Sequence, residues 1–182
     1  SPLLSQEPIP GTIKSEQAFD KLAITELELS NGIKVFLKPT TFKNDEILIR
    51  GIGKGGYSLF PDSRESGIFS SYLVTGGGVG AYSQVQLQKF LTGKTVSITP
   101  YISELNEGVM GSTSPKDLET ALQLIYAYFT VPRKDADVAA GFISNQKAYL
   151  ENMKNTSTPE QVYGDSLTAI LTNYHPLRTP LK

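Results

Sequence analysis

The apolar residues of this chain change their spacing part-way along, and that change restricts the folds open to it more than any other feature. In the first half they mostly alternate with polar residues or cluster in short runs. From Ser114 onward they recur every three or four residues. Ser114, Pro115 and Asp117 form a helix start, and Leu118, Leu122, Ile125 and Phe129 follow at i, i+4, i+7 and i+11, so a helix is expected to bury them and to end near Val131-Pro132. A second helix is expected over residues 135–153, with Val138, Phe142, Tyr149 and Met153 on one face. A third begins at Thr158, where Pro159 and Gln161 complete a capping box, and is expected to bury Val162, Ala169 and Ile170.

The strand signals come earlier. Leu27 and Leu29 alternate with polar residues, Asn31-Gly32 follows, and Ile33, Val35 and Leu37 alternate again, which predicts a hairpin closed by a type I′ turn. Ile47, Leu48, Ile49 and Ile52 read as a buried strand running into glycines, and residues 95–102 and 107–112 as two more strands. Short helices are expected at 66–75, stopped by Gly76-Gly77-Gly78, and at 84–91. Strands followed by helices, without strict alternation, predict an α+β domain with helices on one face of an antiparallel or mixed sheet.

A chain of 182 residues is the size of one domain and buries roughly 70% of its unfolded surface. Lys and Arg number 17 against 18 Asp and Glu, so the strong positive field that nucleic-acid binding needs is missing. The chain has no cysteine and a single histidine, His175, which leaves no thiolate site and no His-rich zinc site. No run reaches the roughly 18–20 apolar residues of a membrane span. Residues 1–24, with Pro2, Pro8, Pro10 and Gly11, have linker composition, and the termini read as those of a piece cut from something longer.

Gly51, Gly53 and Gly56 fit the G-x-G-x-x-G spacing after a strand. A dinucleotide-binding turn also needs a helix opening at the last glycine, and Tyr57-Ser58-Leu59-Phe60-Pro61 does not open one, so a glycine-rich bend is the simpler reading. Gly93-Lys94-Thr95 resembles a P-loop tail, but Gln88 stands where the first glycine belongs. Gly76 to Gly80 reads as a flexible connection. Asp62 with Glu65, and Asp45 with Glu46, lack the apolar surroundings that separate the pKa values of a catalytic carboxylate pair. His175 sits in a turn without an evident nucleophile, and Asn155-Thr156-Ser157 matches a glycosylation sequon.

Taken together, Leu29 to Val35, Lys38-Pro39-Thr40, Phe42 to Ile47, Gly55-Gly56, Leu91 to Lys94, Ser114 to Glu119 and Gln123 to Tyr126 resemble the pitrilysin/insulinase family of zinc peptidases, over about Leu27 to Pro180. The resemblance implies repeated α+β domains in two halves around a peptide chamber. One domain carries H-x-x-E-H on a helix after the Gly-Gly strand, where two histidines and a distant glutamate hold zinc and the motif glutamate activates water. Here the corresponding positions hold Ile68, Ser71 and Tyr72, none of which replaces an imidazole ligand or a carboxylate base.

The resemblance therefore implies a non-catalytic repeat from the second half of a large bacterial member. Residues 1–24 would link the halves, and residues 25–182 would form the domain, its last strand lying beyond Lys182. Zinc is expected only in the catalytic half of the parent protein. The partners implied are the other domains and a peptide or unfolded-protein substrate, and the location implied is the periplasm or cell envelope. Two alternatives stand beside this: a peptide-binding or assembly module of the same fold without peptidase activity, and a nucleotide-binding domain using Gly51 to Gly56.

Overall fold

The computed structural model describes residues 3–179; Ser1, Pro2 and residues 180–182, read above as chain ends, lie outside them. Strands β1 (Ile13–Phe19), β2 (Ile24–Leu29) and β3 (Lys34–Leu37) form one antiparallel sheet in that order. Strands β4 (Ile47–Lys54), β5 (Val96–Ile102) and β6 (Asn106–Thr113) form a second antiparallel sheet, ordered β4-β6-β5. Helices α1 (Arg64–Gly77) and α2 (Gln84–Leu91) lie between β4 and β5, and α3 (Leu118–Thr130), α4 (Ala136–Thr156) and α5 (Pro159–Leu171) follow β6. The α+β class expected from the sequence is the one found.

Helices α1 and α3 pack on β5, and the core lies between them and the second sheet: Val79, Leu87, Ile98, Val109, Ala121, Leu124, Ala127 and Tyr128. Burial pushes the Tyr128 phenol above its ordinary pKa. Among the described residues, the helices seen to pack on this sheet, α1 and α3, lie on its core side, and the opposite face is exposed. Along β4 the inward Ile47 and Ile49 are half-buried, while Leu48 and Ile52 are 78% and 64% exposed. The expectation of a strand buried on both faces is thus corrected, because β4 is an edge strand covered on one side only. The other edge is β5, interrupted by Pro100, which has no N–H to offer.

Helix α3 has the expected period but a different phase. Ala121, Leu124, Ala127 and Tyr128 face the core, whereas Leu122 and Phe129 are exposed. Ala121 and Ala127 let the helix backbone approach the sheet closely, and Leu124 and Tyr128 fill the core beside them, which leaves Leu122 and Phe129 on the outer face. Helix α4 has no fully buried residue, and on α5 only Ala169 is buried while Val162 and Ile170 are exposed. These helices project from the body, and α4 touches it mainly through α1.

Two local differences concern the amino-terminal third. Ile13–Phe19 is a strand where linker composition suggested irregular chain; it pairs with β2 from Ile13↔Leu29 to Phe19↔Ile24 with almost no burial. The β2–β3 turn is not type I′, since Gly32 has φ +85° and Asn31 keeps a negative φ. Gly32 N–H donates to Leu29 O at 2.9 Å and Ile33 N–H to Asn31 Oδ1 at 3.1 Å, a tight turn closed by one left-handed glycine. Among the described residues no helix is long and apolar enough to cross a membrane.

Candidate functional site

The glycine run and helix α1 hold the dinucleotide-type glycines and the three positions compared with a zinc motif. Gly51 and Gly53 lie inside β4, paired with Val109 and Glu107 of β6. Gly55 and Gly56 then wrap the β5–β6 turn. Gly55 N–H donates to Leu105 O at 3.3 Å, Tyr57 N–H to Ser103 O at 2.9 Å and Ser58 N–H to Glu104 O at 3.0 Å. Gly56 has φ +93°, and a Cβ there would collide with the Ser103 carbonyl. A single 3-10 turn, Tyr57–Leu59, does open at Gly56, but its first amides already face protein carbonyls and α1 opens only at Arg64, so the bend has no free amides for a pyrophosphate. The run is a strand end and a turn, and the nucleotide alternative loses its structural basis.

Two arginines tie the segment after α5 to the body, one to the start of α1 and one to the β5–β6 turn. Arg64 is buried; its Nη1 donates to Pro176 O at 2.6 Å and its Nη2 lies 3.5 Å from Glu65 Oε1, while its Nε has no partner. Arg178 donates from both Nη atoms to Glu104, each at 2.7 Å. That fork holds the Glu104 carboxyl below the usual carboxylate range. His175 comes just before these anchors on an exposed turn, its Nδ1 accepting from Leu177 N–H at 3.2 Å, a local bond that orders the turn. Glu46 pairs with Lys43 at 3.3 Å, and Asp45, Asp62 and Glu65 are exposed, so neither carboxylate pair forms a dyad.

Ile68, Ser71 and Tyr72 stand at i, i+3 and i+4 of α1 and share one face of it. Ile68 and Ser71 are half-buried. Tyr72 is 63% exposed and lays its ring on Phe142 of α4, centroids 6.0 Å apart and planes 19° from parallel. Phe69, one residue after Ile68, meets the same Phe142 edge-on at 5.4 Å. Tyr72 and Phe69 thus make an aromatic joint between α1 and α4. It does not fit zinc: an isoleucine, a serine and a phenol supply neither imidazole nor carboxylate, and a ring is stacked on the third of them. Among the described residues no group of three His, Cys, Asp or Glu is placed to hold a metal ion.

Sequence reasoning missed the long-range polar anchors. Asp117, expected as a first-turn carboxylate, is buried and accepts from Ser114 Oγ at 2.7 Å and Thr95 N–H at 2.9 Å, tying the entry of β5 to the entry of α3. The Ser114 hydroxyl and then the Thr95 amide hold its carboxyl below the ordinary value. The Ser114-Pro115-Lys116-Asp117 spacing could have signalled this tie; nothing local signals the pairing of Arg64 with Pro176.

No protein-family model matches the chain. It is 31% identical over 129 residues to a zinc protease PQQL-like protein of Arabidopsis thaliana, covering 70% of this chain and 11% of that protein. It is 26% identical over 115 residues to a probable zinc protease PqqL of Haemophilus influenzae, covering 63% and 12%. Among solved structures, the periplasmic protease PqqL from Escherichia coli superposes with a TM-score of 0.81 at 20% identity, covering 93% of this chain and 19% of that one. A mutant of the ferredoxin protease FusC in complex with Arabidopsis ferredoxin gives 0.79 at 17% identity, covering 92% and 18%. The chain thus spans between a tenth and a fifth of the length of these relatives. In sequence the chain is similar to one part of the PqqL-type zinc proteases, and its fold is the one that part of these pitrilysin-family proteins has.

Proposed function

We propose that this chain is a non-catalytic repeat of a zinc metallopeptidase, its domain comprising residues 25–182 together with strand β1 and Leu3 from the segment 1–24 that composition reads as a connector. The observation that carries this is the α1 face of Ile68, Ser71 and Tyr72, which holds no imidazole or carboxylate and whose Tyr72 ring is stacked on Phe142, where a working domain would present metal ligands and a base. Zinc and the activated water belong to another domain of the parent protein. The contribution of this domain to proteolysis is geometric: its exposed sheet face, with Leu48 and Ile52, forms part of the wall enclosing an extended peptide or unfolded segment. The description of the E. coli relative as periplasmic supports a periplasmic or envelope location.

The test has two parts. After equilibration with zinc and desalting, metal analysis is expected to find far less than one zinc per chain, with no cleavage of a quenched peptide. Stoichiometric zinc or chelator-sensitive cleavage would overturn the reading. In the whole parent protein, a photo-crosslinking residue in place of Ile52 is expected to capture a bound peptide, and the same residue in place of Leu122 is not. Capture at Leu122 alone would remove the wall assignment while leaving the non-catalytic assignment standing.

A further inference from the structure

Strand β4 is paired on one side only. It runs antiparallel to β6 from Ile47↔Thr113 to Lys54↔Asn106, and no strand lies along its other side among the described residues. In such a ladder every second residue turns its N–H and C=O away from the partner strand. Among the described residues, the one hydrogen bond to the β4 backbone from outside that ladder comes from the Tyr101 hydroxyl, which donates to Gly51 O at 3.3 Å. The outer side of β4 is therefore a row of unused donors and acceptors.

The side chains on the outer face of this strand have an order. Leu48, Arg50, Ile52 and Lys54 follow at every second position, all exposed, apolar and cationic in turn, about 7 Å apart. The positions of β6 opposite them are Ser112, Met110, Gly108 and Asn106, and none is a carboxylate. Neighbouring acidic groups are already engaged, Glu46 by Lys43 and Glu104 by Arg178. Arg50 and Lys54 make no hydrogen bond or ion pair among the described residues. A strand laid on this edge would stand its own alternate side chains directly opposite these four, so apolar residues match Leu48 and Ile52 and carboxylates match the two cations. A basic segment would oppose like charges, and a second copy pairing through the same strand would bring two further cations.

We propose that the open edge of β4 binds an extended peptide by strand addition and selects segments whose alternate residues are apolar and acidic. That the occupant is a segment of the peptidase's substrate rests on the wall reading above; the preference for acidic segments rests on β4 alone.

The test uses the full chain and two short fluorescent peptides followed by anisotropy. One has threonine at alternate positions with valine and glutamate taking turns between them; its twin has lysine for glutamate. The glutamate peptide is expected to bind saturably and at least about tenfold more tightly than its twin, with the difference shrinking at high salt. The double variant Arg50→Glu/Lys54→Glu, changed only at exposed side chains, is expected to reverse the order of the two peptides. Methylating the peptide amides that face β4 is expected to abolish binding, and bound peptide is expected to slow hydrogen exchange at alternate amides of β4. Equal binding of the two peptides, an order that the double variant leaves unchanged, binding that survives methylation, or protection of β5 in place of β4 would overturn the proposal. Loss of peptide binding as the chain forms dimers through β4 would give the edge to a second copy instead. The wall reading fails separately: in the whole parent protein, no capture at Ile52 while the isolated chain keeps its preference would remove the wall and leave this site. Equal capture of both peptides at Ile52 would remove the preference and leave the wall.

Discussion

Leu122 and Leu124 sit two residues apart on α3 and provide a matched pair for testing how that helix is turned. Leu124 is 2% exposed in the centre of the core, whereas Leu122 is 53% exposed on the outer face. Replacing Leu124 by alanine removes three carbons from a dry, close-packed site. At ~0.8 kcal/mol per carbon the transfer loss is about 2.4 kcal/mol. The cavity left beside Val79 and Leu87 cannot collapse freely between a helix and a sheet, which brings the expected cost to about 3–5 kcal/mol. For a chain of this length, 3 kcal/mol lowers the melting temperature by roughly 6–12 °C. Leu122→Ala removes the same atoms from a half-wet position and is expected to cost no more than about 0.5–1 kcal/mol. Urea titration followed by far-ultraviolet circular dichroism, with both variants sharing the wild-type m-value, measures the difference. Equal losses for the two variants, or a larger loss for Leu122→Ala, would refute the orientation of α3 and the core built on it.

Three further outcomes follow from particular contacts. Gly56→Ala forces a left-handed residue against the Ser103 carbonyl and is expected to cost at least ~1–2 kcal/mol, read as a lowered melting temperature, whereas Gly141→Ala on exposed α4 meets nothing and is expected to be neutral or mildly stabilising. The Asp117 carboxyl titrates below its unfolded value, so the unfolded chain binds the extra proton as pH falls. Its contribution is complete above about pH 4 and is lost on further acidification; Asp117→Asn is expected to remove that part of the pH dependence in melts between about pH 2 and 6. Phe142→Ala unstacks Phe69 and Tyr72 together and is expected to speed amide exchange over α4 more than over α3.

What could be read in the chain beforehand was set by local chemistry. The Asn31-Gly32 hairpin, the Thr158–Gln161 capping box and the helix start after Ser114 all lie within a few residues of the structure they specify. The phase of α3 was not readable, because its core face is built from Ala121 and Ala127 as much as from Leu124, and hydropathy ranks Leu122 and Phe129 above the alanines. Strand β1 escaped notice because Ile13-Lys14-Ser15-Glu16-Gln17-Ala18-Phe19 has no buried face to impose alternation; it exists through its ladder with β2. At the candidate site the three substituted motif positions were legible as a chemical deficiency. The use of one of them, Tyr72, in a joint with α4 was not, since Tyr72 and Phe142 are brought together only by the fold.

The second sheet has a consequence for the behaviour of this polypeptide in concentrated solution. Both outer strands leave backbone groups open to a neighbour, which is the usual route to fibrous self-association. Each carries its own obstruction: Arg50 and Lys54 place like charges along β4, and Pro100 interrupts β5. Exchanging Arg50 and Pro100 for valine would strip away these gatekeepers and convert a dispersed molecule into one prone to stack end on end.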